Sequence, residues 1–283
     1  MGSIADSTAV STKKVLPQHH TAITLLGQLL AAPGSDHIAW LDLACGKGQI
    51  LAQLDENIPE PELRGKISYQ GYDIENENSR VAEKIASGLK LRAVEVKTGE
   101  MEDFSKVFSV ERKFSFVSFT NTVHELRPQL IAALILDILL RLDTKGVLYI
   151  YDMEMLPVPE LGAVPWDGDD MKKVLAAMFD ELGCAKPALI VQRWEHSSCS
   201  GWSVNLHREH LQVTDQVIFE KAGVVIGKAA GVITDVLKNK LKTVSDALES
   251  LTRFGSENEE EMKQKIKLLY DFWSLERAIK EIK

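Results

Sequence analysis

The chain has 283 residues, long for one domain and short for two, and 45% of them are hydrophobic, enough for a sizeable core. Its net charge of −8 excludes recruitment of nucleic acid by a global positive field, leaving only a local basic groove for that purpose. The three cysteines, Cys45, Cys184 and Cys199, show neither CxxC pairing nor metal-ligand spacing with histidine, and the odd count argues for a reducing compartment over a secreted disulfide scaffold.

Residues 1–16 form a small, polar segment expected to be disordered. No charged stretch leads into an apolar h-region, and Gly2 lacks the downstream Ser or Thr of a myristoylation motif because Asp6 stands there. No apolar run reaches the ~20 residues a bilayer span requires. The expectation is a soluble cytoplasmic protein with no membrane contact. From Pro17 to Ala32, Ile23, Leu26, Leu29 and Leu30 recur at helical spacing, and Pro33-Gly34 ends the helix.

The stretch Trp40 to Ile50 organises the rest of the chain. An apolar strand, Ala39 to Leu43, carries Asp42 near its end and passes through a turn of small residues into a helical pattern reaching about Asp55. Glycine lacks a Cβ, so Gly46 and Gly48 let a ligand approach the backbone, and a helix N-terminus offers unpaired N–H groups and partial positive charge. A second strand, Ile67 to Tyr72, ends at Asp73. Acidic residues at the ends of successive parallel strands share one edge of a sheet. Asp73 follows Gly48 at roughly the spacing from which a carboxylate accepts ribose hydroxyls in dinucleotide folds; as an N-cap it would serve the next helix instead.

A helix over Ser79 to Ser87 closes at Gly88, and a third strand, Leu91 to Val96, leads to Gly99-Glu100-Met101-Glu102-Asp103. The fourth strand, Phe114 to Phe119, is aromatic and β-branched and ends in Thr120-Asn121-Thr122-Val123-His124-Glu125-Leu126. His124 has the chemistry of a general base, its unperturbed pKa lying near neutrality. Pro128 starts an apolar helix, Leu130 to Leu142, buried on most sides. Gly146 opens a fifth strand, Val147 to Tyr151, followed by a loop with Pro157, Pro159 and Pro165. Such a loop is a natural place for substrate contacts, with Glu154, Trp166 and Asp167 as candidates. A helix over Asp169 to Leu182 precedes two strands, Ala188 to Trp194 and Trp202 to His207, whose tryptophans pack the sheet edge. His207 and His210 lack a third ligand, so no metal site is expected.

From Leu211 the character changes. Gly223, Gly227 and Gly231 recur every four residues, a smooth helical face or an irregular stretch. Leu237, Leu241, Val244, Leu248 and Leu251 form a short seam. Ser256 and Glu259 read as a capping box opening a helix with Met262, Ile266, Leu269, Phe272, Trp273 and Ile279. Residues 211–283 thus read as a helical hairpin that docks on its own enzyme and offers a surface for a homodimer or another partner.

The Trp40–Ile50 stretch resembles motif I of the class I S-adenosylmethionine-dependent methyltransferases. The resemblance covers about residues 17–210 and implies a Rossmann-like α/β fold: a seven-stranded, mostly parallel sheet with helices on both faces, ending in an antiparallel hairpin. It places Asp42, Ala44, Cys45, Gly46 and Gly48 around the methionyl part of the cofactor. Lys47, similar to the turn lysine of messenger-RNA cap guanine-N7 methyltransferases, goes beside the cofactor carboxylate. Asp73, with Ile74 next to it, goes to the ribose, and Glu100 and the Met101 amide go to adenine, Glu100 standing where Asp is commoner. The segment from Asn121 resembles motif IV, which puts Asn121 against cofactor or substrate and His124 as catalytic residue against the transferring methyl group. The expected acceptor is a small molecule; RNA is the second choice, and a non-catalytic cofactor-binding subunit and a nicotinamide dehydrogenase are the rival classes.

Overall fold

The computed structural model describes residues 17–156, 160–184, 191–196, 199–255 and 258–282. The expected N-terminal segment, Pro157, Pro159, the expected strand start at Ala188 and Ser256 lie outside these, as do the side chains of Trp194 and His196.

Alternation of apolar side chains along the strands builds the molecule. In β1 (Ile38–Leu43), Ile38 and Trp40 enter one core and Leu41 and Leu43 the opposite one. Strands β2 (Ile67–Asp73), β3 (Ala93–Thr98), β4 (Phe114–Thr120) and β5 (Leu142–Met153) add parallel to it, in the order β3-β2-β1-β4-β5. The hairpin β6 (Val191–His196) and β7 (Cys199–His207) closes the sheet, with β7 antiparallel to β5. The fold is thus the expected seven-stranded, mostly parallel sheet with helices around it and a C-terminal helical region. Strand order reverses between β1 and β4, and in open α/β sheets ligands sit at the carboxyl ends of strands beside such a switch point.

One core holds helix α1 (Pro17–Ala31), through Ala22, Ile23, Leu26 and Leu30, packed with Trp40, Tyr69 and Tyr149. The segment after the glycine turn is not the expected regular helix. It winds through turns and a 3-10 turn, Leu51–Gln53, into α2 (Leu54–Asn57), and Pro61 then opens α3 (Pro61–Arg64). Helix α4 (Asn76–Gly88) buries Ala82 and Ala86 in the same core. On the opposite face lie α5 (Phe104–Val107), α6 (Pro128–Arg141) and α7 (Gly168–Leu182). Asp167 caps α7, accepting from the Asp170 N–H at 2.8 Å, and Gly183 ends it at φ +81°.

The C-terminal region is a pair of helices, α8 (Asp215–Phe254) and α9 (Glu259–Glu281). Helix α8 is continuous through Gly223, Gly227 and Gly231. A Cβ at any of the three would meet open space, so among the described residues no backbone approaches that face. The side that docks is Ile218, Val225, Ala229, Ile233, Val236 and Leu237, all buried against the domain. Helix α9 starts two residues later than a Ser256 cap implies: Asn258 caps it, accepting from the Glu261 N–H at 2.9 Å. Its buried residues are Ser274, Leu275 and Ala278, whereas Met262, Ile266, Leu269 and Trp273 stay exposed. Among the described residues, no helix is long and apolar enough to cross a membrane.

Candidate active site

Five parallel strands point their carboxyl ends the same way, so Asp42, Asp73, the residues after Thr98, Asn121 and the end of β5 share one rim. The turn after β1 is held from the neighbouring strand. The Cys45 N–H donates to the Tyr72 carbonyl at 3.1 Å, and the Gly46 N–H donates to Asp73 Oδ2 at 2.8 Å. Ala44, Gly46 and Gly48 all have positive φ, at +50°, +53° and +80°. A Cβ on Gly48 would come within 3.2 Å of the Ala82 Cα, so this glycine answers both to the turn and to close packing on α4. Lys47 is half-buried in the turn.

Asp42 is buried beneath the turn. Its Oδ1 accepts from Ser118 Oγ at 2.5 Å and its Oδ2 from Tyr69 Oη at 3.2 Å, while Ser118 Oγ accepts from Trp40 Nε1 at 2.8 Å. These side chains share one face of β1, β2 and β4, in the core under α1. Burial raises the Asp42 carboxyl to about 7 against the hydrogen bonds of Ser118 and Tyr69, with the charge of Asp73 adding to the rise. Asp73 has both oxygens engaged: besides the Gly46 bond, Oδ1 accepts from the Glu75 N–H at 2.9 Å at the entry to α4. Oδ1 also accepts from Asn78 Nδ2 at 3.5 Å, which fills its two lone pairs, so the acceptor capacity left is the second lone pair of Oδ2. Ile74 beside it is 56% exposed.

After β3, Tyr72 Oη donates to the Glu100 carbonyl at 2.7 Å, which fixes the backbone from which Met101 presents its amide. The Glu100 side chain is exposed. Asn121 takes φ +56° at the end of β4, and its N–H donates to the Tyr151 carbonyl at 2.9 Å.

His124 is 1% exposed and anchored from three sides. Its Nδ1 donates to Asp152 Oδ1 at 2.6 Å, its backbone N–H donates to Asp152 Oδ2 at 2.6 Å, and its carbonyl accepts from the Val164 N–H at 2.7 Å. Asp152, fully buried at the end of β5, also accepts from the Met153 N–H at 2.8 Å. The Nε2 edge faces Glu160 Oε2 at 3.5 Å and Glu125 Oε1 at 3.8 Å. Burial by itself lowers the His124 pKa; the Asp152 charge and hydrogen bond, with Glu160 and Glu125, override it and raise it to about 10.

Asp152 and Glu160 are functional candidates that sequence reasoning passed over. Asp152 carried a signal, as an acidic residue at a strand end like Asp42 and Asp73; Glu160 sits in an irregular loop with none. That loop is pinned by the C-terminal helices, since the Gly162 N–H donates to Ser274 Oγ at 3.2 Å and Arg277 donates to the Gly162 carbonyl at 3.2 Å. The loop candidates Glu154, Trp166 and Asp167 have structural partners. Glu154 accepts from the Gly168 N–H and pairs with Arg193. Trp166 is buried with its carbonyl accepting from Trp202, and Asp167 caps α7 and pairs with Lys240.

The rim thus sets two buried carboxylates, Asp42 and Asp73, beside the glycine turn at the switch point of the sheet. No curated protein sequence matches this one significantly. Distant structural likenesses include an rRNA methylase from Streptococcus thermophilus, 15% identical, covering 69% of this chain and 98% of that one with TM-score 0.45. Another is the magnesium protoporphyrin IX methyltransferase of Synechocystis with bound SAM, 13% identical, covering 66% and 77%, TM-score 0.45. A third is TrmK of M. capricolum with S-adenosylhomocysteine, 11% identical, covering 92% and 98%, TM-score 0.40. Likeness at that level assigns nothing. The family model described as a methyltransferase domain matches residues 35–208, well over half of the chain. The chain belongs to that family and is a class I, S-adenosylmethionine-dependent methyltransferase.

Proposed function

We propose that the chain methylates a small-molecule acceptor held at His124, with the cofactor lying along the carboxyl ends of β1, β2 and β3. S-adenosylmethionine supplies an electrophilic methyl group on a sulfonium. The chain's own residues bind, align and exclude water. Asp73 accepts from the ribose, with Ile74 against the adenine and Glu100 and the Met101 amide at its edge. Ala44, Cys45, Gly46 and Gly48 line the methionyl part, Lys47 pairs with its carboxylate, and Asp42 lies under the sulfonium. Asn121 and His124 face the acceptor from the end of β4.

The observation that carries the small-molecule reading is the charge of the acceptor end. Asp152, Glu160 and Glu125 surround one imidazole. Three carboxylates against one histidine repel a phosphate backbone, which needs a basic track. With a pKa of about 10, the His124 ring carries both protons at neutral pH. It therefore orients and polarises an acceptor oxygen through Nε2–H and does not itself take the proton.

Residues 17–210 act as the catalytic domain in this reading, and 211–283 as a helical extension that braces the Glu160 loop through Ser274 and Arg277. The exposed stripe Met262, Ile266, Leu269 and Trp273 supports pairing of two copies through α9, and the chain works in the cytoplasm. Sedimentation at rising concentration tests the pairing. The acceptor class is tested with S-adenosylmethionine labelled on the methyl group, incubated separately with the low-molecular-weight fraction of a cell extract and with its RNA. Label is expected in the small-molecule fraction; label in RNA alone would overturn the assignment.

A further inference from the structure

We propose that His124, Glu125 and Glu160 bind a divalent metal ion at the acceptor position, so that the acceptor is an oxygen compound able to coordinate it. The proposal rests on the methyltransferase reading of this rim and deepens it.

The first observation is the set of ligand atoms. One imidazole nitrogen and one carboxylate oxygen from each glutamate lie within 4.8 Å of one another. Glu160 stands 3.5 Å from Nε2, at the outer limit of a hydrogen bond, and Glu125 stands 3.8 Å away, both longer than the about 2.7–2.9 Å of a charge-assisted N–H···O bond. A modest closure around a central ion brings three such ligands to coordination distance.

The second observation is independent of the glutamates. His124 is 99% buried, yet its Nε2 edge is turned toward them, because Asp152 holds the opposite nitrogen and the backbone N–H of the same residue. Asp152 accepts three hydrogen bonds and cannot swing away. A histidine whose Nδ1–H is fixed by a buried carboxylate presents Nε2 as a ligand of set direction, as metal-binding histidines do. The third is charge: the metal-facing side has two carboxylates, and only Glu125 is well exposed, at 46%. One imidazole with two carboxylates suits a first-row ion such as Mn²⁺ or Zn²⁺ and leaves positions open for an exchangeable oxygen.

An ion at this position takes the place of the Nε2 proton and does with two charges what the imidazolium does with one. An acceptor hydroxyl coordinated there becomes more acidic and releases its proton to water. Its oxygen pair then forms the new O–CH3 bond as the S–CH3 bond breaks, the departing pair staying on sulfur. Glu125, on the solvent side, is where the acceptor enters.

The test uses the full chain after chelator treatment and dialysis. Mn²⁺ is titrated in, and the free aqua ion is followed by electron paramagnetic resonance. About one tightly bound equivalent per chain is expected, with Glu125→Gln and Glu160→Gln each weakening binding by about tenfold or more. Glu125 is on the surface, so its variant folds even if Glu160→Gln does not. Glu209→Gln, beside the half-buried His207 and the exposed His210, should leave binding unchanged. Absence of a tight equivalent, or equal binding by wild type and Glu125→Gln, would overturn the site. Calorimetry with S-adenosylhomocysteine on the same samples separates the two readings. If that ligand binds while Mn²⁺ does not, the metal inference fails alone; if Mn²⁺ binds and the ligand does not, the cofactor rim is what fails.

Discussion

Replacing Asp152 with Asn removes the charge that His124 is built around. His124 and Asp152 are both buried, so the lost ion pair is not screened by solvent. Breaking a buried pair from one side costs about 3–5 kcal/mol because it strands the partner. Asn also offers one acceptor oxygen where Asp152 uses two, so either the His124 or the Met153 N–H loses its partner. The loss depends on pH with a definite sign. The folded His124 pKa, about 10, exceeds the ordinary 6.5, so the folded state keeps a proton that the unfolded state has released. This stabilisation is fully present below pH 6.5 and is lost as pH rises through about 10. Each pH unit between removes about 1.4 kcal/mol. Urea unfolding at pH 6, 8 and 10 should therefore show wild type losing stability steadily and converging toward Asp152→Asn at the top of the range. Imidazole NMR should give a midpoint near 10 in wild type and one much nearer neutrality in the variant. A wild-type midpoint near 6.5, or equal stability of both proteins at pH 6, would refute the reasoning.

Two further substitutions probe the cofactor end. Gly48→Ala puts a Cβ at φ +80° and within 3.2 Å of the Ala82 Cα, both unfavourable; a loss of ~1–3 kcal/mol and a measurable drop in S-adenosylhomocysteine affinity are expected by thermal shift and calorimetry. Ser118→Ala strips Asp42 of its shortest hydrogen bond and leaves Trp40 Nε1 without its acceptor. A cost of ~1–3 kcal/mol is expected, growing as pH rises through about 7 because the Asp42 carboxylate then ionises with one donor fewer; a pH-independent difference would count against this.

What was legible in the sequence was whatever local pattern determines. Each strand that ends in an acidic or polar residue was visible as an apolar run stopped by a change of character, and Asp42, Asp73, Glu100 and Asn121 fall on one rim because the strands are parallel. The partners of those residues were not visible, being set by register between strands. Ser118 reaches Asp42 and Asp152 reaches His124 only because β4 lies between β1 and β5. Glu160 was hidden for a different reason: it lies in a loop without periodicity, and what fixes that loop is Ser274 and Arg277 at the far end of the chain. Propensity misled in α8. Three glycines suggested close packing or irregularity, but burial of Ile218, Val225, Ala229 and Ile233 on the other side outweighs their cost and keeps the helix whole. The stretch after Gly48 shows the converse, helical in composition yet wound into turns and a 3-10 turn where it follows three residues at positive φ, Ala44, Gly46 and Gly48.

The most direct measurement of the central claim is calorimetric titration of the full chain with S-adenosylhomocysteine and, separately, with NAD, repeated on Asp73→Ala. One saturable site is expected for S-adenosylhomocysteine and none for NAD, with a loss of at least about tenfold in affinity when the carboxylate proposed to accept from the ribose and its hold on Gly46 are gone. Undiminished binding by Asp73→Ala, or preference for NAD, would contradict the claim.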